Sequence, residues 1–114
     1  MKSTYSPLQA LAAAALLAAL GAPAVAQAAD AAAAQALARK ENCLKCHSVD
    51  KKKDAPSFKD ISAKYKGKAD AEAQLTEKLT KGMKAKTAGG AEEDHKTVKA
   101  NADTKNLIQW ILSQ

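Results

Sequence analysis

The five residues Cys43-Leu44-Lys45-Cys46-His47 constrain this chain more than any other stretch of its 114 residues. On a helical turn, positions i, i+3 and i+4 share one face, so both thiols and the imidazole point the same way. One flat cofactor can then meet all three. C-x-x-C-H is the signature of covalent c-type haem attachment: each thiol adds to a porphyrin vinyl group, and the histidine binds the iron from the proximal side. A chain carrying it must fold around a rigid plate.

Other uses of such a motif fit the sequence less well. A thioredoxin-like C-x-x-C belongs in a βαβ context, and no strand alternates with helix here. Structural zinc takes about four ligands, whereas the chain holds only two cysteines and two histidines, with His95 far from the motif. A Cys43–Cys46 disulfide would close a very short loop and leave His47 without a role.

The N-terminus supplies the compartment. Residues 1–28 carry a basic start at Lys2, an apolar run from Leu8 to Leu20 and small-residue cleavage patterns at Ala24-Val25-Ala26 and Ala26-Gln27-Ala28. Such a segment reads as a cleaved secretory signal, its boundary at about 26–29. The apolar run is too short to span a bilayer and no cysteine follows it to take a lipid. The expectation is a released periplasmic protein with no membrane anchor.

Residues 29–114 then form one monohaem domain with a formal charge of +5, since Lys2 is the only charge lost from +6. About 86 residues rarely build a sufficient apolar core unaided. Only Phe58, Tyr65 and Trp110 remain as aromatics. A bound porphyrin would complete that core, which predicts a largely unfolded apo-protein.

The pattern of the mature chain is helical. Asp30 caps a run from Ala31 to Lys40 rich in the best helix former. Pro56-Ser57 opens a segment with Phe58, Ile61 and Tyr65 on one face, closed by Gly67. Asp70 caps Ala71 to Lys81, where Ala71, Leu75 and Leu79 form a stripe ended by Gly82. After Gly89-Gly90, Asp103 precedes the broad stripe Leu107, Ile108, Trp110, Ile111 and Leu112. Nothing alternates with period two over a useful length, so little or no sheet is expected.

This order of elements resembles the small bacterial class I c-type cytochromes over nearly all of residues 31–114. The likeness is closest at Cys43 to His47, at Pro56-Ser57-Phe58-Lys59-Asp60-Ile61 and at Leu107-Ile108-Gln109-Trp110-Ile111-Leu112. It implies an all-α fold of about four helices wrapped around one covalent haem c, with the first and last helices crossing. It also implies that the Pro56 carbonyl accepts the outer N–H of His47, fixing the ring.

The departure lies on the other side of the iron. Family members usually supply a methionine from a proline-rich loop before the last helix, and residues 89–98 contain neither residue. His95 lies 15 residues before Trp110, close to where the family's loop ligand falls, whereas Met83 lies 27 before it. His95 is therefore the expected distal ligand, its second nitrogen held by a neighbour such as Glu92, Glu93 or Asp94, with Met83 as the alternative. Bis-histidine ligation favours ferric iron and predicts a low potential.

Function follows from that ligand set. Two protein ligands leave no open position, which points to outer-sphere electron transfer and away from enzymatic chemistry. A haem-based small-ligand binder or sensor whose sixth ligand leaves, a His/Met carrier using Met83, and a subunit of a larger oxidoreductase are the competing readings. Lys45, Lys51, Lys52, Lys53, Lys59, Lys64, Lys66 and Lys68 suit brief docking of a monomer to acidic redox partners, and equally a solvated surface. Nucleic acid is a poor partner for an exported chain with so few aromatics.

Overall fold

The computed structural model describes residues 28–114, so the export-signal reading falls almost wholly outside the described residues. Four helices form: α1 (Ala31–Lys40), α2 (Phe58–Tyr65), α3 (Ala71–Lys81) and α4 (Ala102–Leu112). A 3-10 turn at Cys43–Lys45 follows α1, and a ribbon of β1 (Lys84–Lys86) and β2 (Glu92–Asp94) separates α3 from α4. The helical expectation stands, with a small sheet added.

Helix starts follow capping chemistry. Asp30 accepts from the Ala33 N–H, as its position before an alanine run predicts. Ser57 and Asp60 form a reciprocal capping box that opens α2 beyond Pro56. Ser57 is buried as well. Ser57→Ala should therefore cost about 1 kcal/mol or somewhat more, read as a lowered midpoint in thermal unfolding of the holoprotein.

One cap differs from expectation, and another had no expected residue. Asp70 gives α3 no side-chain cap; its carboxylate takes the Gln74 side-chain amide at 2.8 Å instead. Helix α4 begins earlier than Asp103 because Asn101 accepts from the Thr104 N–H, leaving Asp103 in the first turn, where its charge suits the helix dipole.

The ribbon is the larger addition. Its antiparallel register pairs Lys84 with Asp94, Ala85 with Glu93 and Lys86 with Glu92, and Lys84 bridges Asp94 at 2.7 Å. Three residues per strand are too few for an alternating signature. What sets the pairing is opposite charge across the strands with Gly90, at φ 85°, in the turn.

Helix α4 is the centre of the packing and touches all three other helices. Leu107, Trp110 and Ile111 meet Ala34 and Ala38 of α1 and Phe58 of α2. Both alanines are fully buried, and their small side chains let α1 and α4 approach closely. Ile108 turns the other way to join Tyr65, Ala71 and Leu75. Reciprocal bonds lock the crossing: Asn106 accepts from the Asp30 N–H at 2.8 Å, and its amide donates to the Asp30 carbonyl at 2.9 Å.

Candidate functional site

The motif is held as a helical turn. Asn42 adopts a left-handed conformation, φ 60°, which breaks α1 and starts the 3-10 turn. The His47 N–H then reaches back to the Cys43 carbonyl at 2.9 Å, the i to i+4 bond that brings the first thiol and the imidazole to one side. Both thiols are free, Cys43 half-buried and Cys46 exposed. Burial pushes the Cys43 thiol above its ordinary range, and the neighbouring Glu41 charge adds to this.

Residues 48–57 fold back on the turn. The Ala55 N–H donates to the Cys46 carbonyl, and the Phe58 and Lys59 N–H groups donate to the Ser48 and Val49 carbonyls, all at about 3 Å. This closure places the Pro56 carbonyl 2.6 Å from Nδ1 of His47. Nδ1–H is thereby the donor, and the Nε2 lone pair is left for a metal. The Phe58 ring stacks on His47 at 5.4 Å between centroids and meets Trp110 edge-on, also at 5.4 Å. Core packing thus carries through Phe58 to the imidazole. That contact was not foreseen: the sequence marks Phe58 as one residue of an apolar stripe, with no sign of which partner it meets.

Burial holds the His47 pKa below its ordinary value; the bond to Pro56 opposes this, and the His95 charge adds to the lowering. Neutral imidazole, the form that ligates metals, is favoured.

His95 enters from the opposite direction. Its N–H donates to the Met83 carbonyl at 2.8 Å, continuing the ladder one step beyond Lys84 and Asp94. Its ring lies 6.1 Å from that of His47, centroid to centroid, with the planes inclined by 51°. Nδ1 of His95 donates to the Lys96 carbonyl at 2.8 Å, so the carboxylates of Glu92, Glu93 and Asp94 do not fill that role. Asp94 is engaged with Lys84. The backbone bond from the His95 N–H sets Met83, 37% exposed, beside His95 at the end of the ribbon. The two distal candidates are neighbours in space.

The donor set fits an iron porphyrin. Two imidazoles sharing one metal through nitrogens about 2.0–2.1 Å from it have centroids roughly 6 Å apart, close to the separation here. Beside His47 lies a cavity of about 330 Å³ where the apolar Ala38, Leu44, Val49 and Trp110 meet the polar Gln35, Arg39, Ser48 and Lys53. A larger groove, about 510 Å³, runs between the ends of α2 and α4, and it offers neither histidine nor cysteine. Of the two, only the smaller one reaches a residue of the motif's chemistry, His47.

The cytochrome c family model matches residues 31–114, from the first residue of α1 to the C-terminus. The chain belongs to the cytochrome c family. Cytochrome c-552 of Nitrosomonas europaea is 40% identical over 77 residues, covering 68% of this chain and 74% of that protein. Cytochrome c-551 of Pseudomonas aeruginosa is 31% identical over 80 residues, covering 70% and 75%. Among solved structures, the class 1 cytochrome MtoD from Sideroxydans lithotrophicus ES-1 is 53% identical, with a TM-score of 0.73, and covers 75% of this chain and 97% of that one. This cytochrome is a small class I electron-transfer protein with one covalent haem c. Among the described residues, no helix is long and apolar enough to cross a membrane.

Proposed function

We propose that this cytochrome is a periplasmic, low-potential electron carrier in which Cys43 and Cys46 hold haem c through thioethers and His47 and His95 ligate its iron. One observation carries the reading. The two imidazoles stand 6.1 Å apart, and each spends Nδ1 on a backbone carbonyl, Pro56 for one and Lys96 for the other. Each Nε2 is then free to ligate. The haem supplies a one-electron ferric–ferrous couple.

The protein groups tune that couple. A hydrogen bond to the outer nitrogen strengthens an imidazole as a donor, and two such donors favour the ferric state over the ferrous. With His47 and His95 holding both axial positions, the bound haem would supply outer-sphere electron exchange with no need for an entering ligand. The export signal at residues 1–28 supports a periplasmic site of action, and the lysines around the motif support transient docking to acidic redox partners.

Carbon monoxide tests the ligand set. Low-spin ferric and ferrous spectra are expected, with carbon monoxide uptake by the ferrous protein limited by loss of His95. Immediate uptake and a high-spin ferrous spectrum would instead make this protein a haem-based ligand binder. Met83 favours a second reading, because its backbone carbonyl accepts from the His95 N–H and so sets the two residues side by side; a ferric iron–sulfur charge-transfer band lost in Met83→Leu would establish it.

A further inference from the structure

The carbonyl that orients His95 belongs to a residue whose side chain reaches across the molecule. Nζ of Lys96 lies 3.0 Å from the Glu41 backbone carbonyl and 3.0 Å from Oε2 of the same residue, 55 positions earlier in sequence. Glu41 ends α1, and two residues later comes Cys43. We propose that Lys96 and Glu41 form a clasp that positions the distal histidine, tying the peptide that aims His95 to the peptide that bears the first haem-attachment cysteine. Lys96 is thus a positioning residue. The inference rests on the reading of His95 as the sixth ligand.

Three features set this pair apart from an ordinary surface ion pair, which contributes little. The Glu41 carboxylate is mostly covered, its side chain only 25% exposed. The ammonium also meets a carbonyl at the C-terminal end of a helix, where the macrodipole favours positive charge and orphan acceptors need donors. Finally, the rest of the distal segment is fastened elsewhere: His95 to Met83, and Val98 to the Leu79 carbonyl at 2.8 Å, both on the α3 and ribbon side. Among the described residues, the clasp supplies the hydrogen bonds that join residues 95–98 to α1.

The geometry decides what the clasp controls. Without it, the Lys96 peptide is held only through its neighbours His95 and Val98, and the acceptor that aims the His95 ring loses its tie to the end of α1. A loosened His95 leaves the iron more often, and the protein moves from closed carrier toward ligand binder.

The test measures carbon monoxide uptake by the ferrous holoprotein, whose rate on a six-coordinate iron reports departure of the sixth ligand. Lys96→Met should speed uptake about fivefold or more, the loss of a charged hydrogen bond to a mostly covered partner. Glu41→Gln, which keeps the backbone acceptor, should give a smaller increase. Lys96→Arg should stay within about twofold of the parent, since it preserves both charge and donors. A uniform rate across the parent and all three variants overturns the clasp, as does equal acceleration by Lys96→Met and Lys96→Arg. His95→Ala separates the two layers: if it opens the iron to immediate uptake while Lys96→Met changes nothing, only the clasp fails. If it leaves rate and spectrum untouched, the ligand assignment fails and the clasp with it. Should Lys96→Met yield no holoprotein, Glu41→Gln gives the same readout.

Discussion

With His95 on the iron as proposed, His95→Met should raise the reduction potential by about 0.1 V or more, since a thioether would replace an imidazole. For a one-electron couple about 59 mV is a tenfold change in the balance of oxidation states. The shift thus reflects a roughly fiftyfold weaker preference for ferric iron. The substitution keeps the ribbon intact: the bond from residue 95 to Met83 is made by the backbone N–H and does not depend on the side chain. A ferric iron–sulfur charge-transfer band should appear together with the new potential. Protein-film voltammetry and optical spectra of the same samples provide both readings. If the variant keeps the parental potential and spectrum, His95 is not on the iron.

The second large effect concerns folding. The double variant Cys43→Ala with Cys46→Ala removes both tethers, and the chain should then lose its cooperative thermal transition and most of its helical circular dichroism. The reason lies in the size of the apolar core. Its two clusters are built from ten buried hydrophobic residues, four of them Ala34, Ala38, Ala71 and Tyr65, and both clusters depend on α4. Burial of a few such side chains at about 1.5–3 kcal/mol each for the larger ones cannot offset the ordering of a whole small domain. Haem burial and iron ligation are part of the folding free energy. A double variant that still melts cooperatively, with parental helix content and no haem, would show that the polypeptide core is sufficient by itself.

The sequence was most legible where local chemistry decides structure. Asp30 before an alanine run caps as its position predicts, and Pro56-Ser57 opens α2 where expected. The motif, the Pro56 acceptor and the stripe on α4 also lie where expected. Legibility failed where a choice between neighbours is made by tertiary contact. Asp70 stands at a plausible cap yet its carboxylate binds Gln74, and α4 is capped by Asn101, which no sequence signal had singled out. The ribbon was hidden because its signal is complementary charge across a glycine turn, with too few residues for a period. At the site, Met83 and His95 are twelve positions apart, so their adjacency required the ribbon to be seen first. Lys96 carried no signal in the sequence; the place of its carbonyl and its reach to Glu41 are consequences of the fold.

Labelling the histidines with nitrogen-15 and measuring hyperfine couplings at the ferric iron counts the histidyl nitrogens bound to it. Because the chain has two histidines, His47 and His95, the count has a simple meaning. Two coupled histidyl nitrogens are predicted, and the His95→Met variant should retain one. A single coupled histidyl nitrogen in the unmodified protein would contradict bis-histidine ligation.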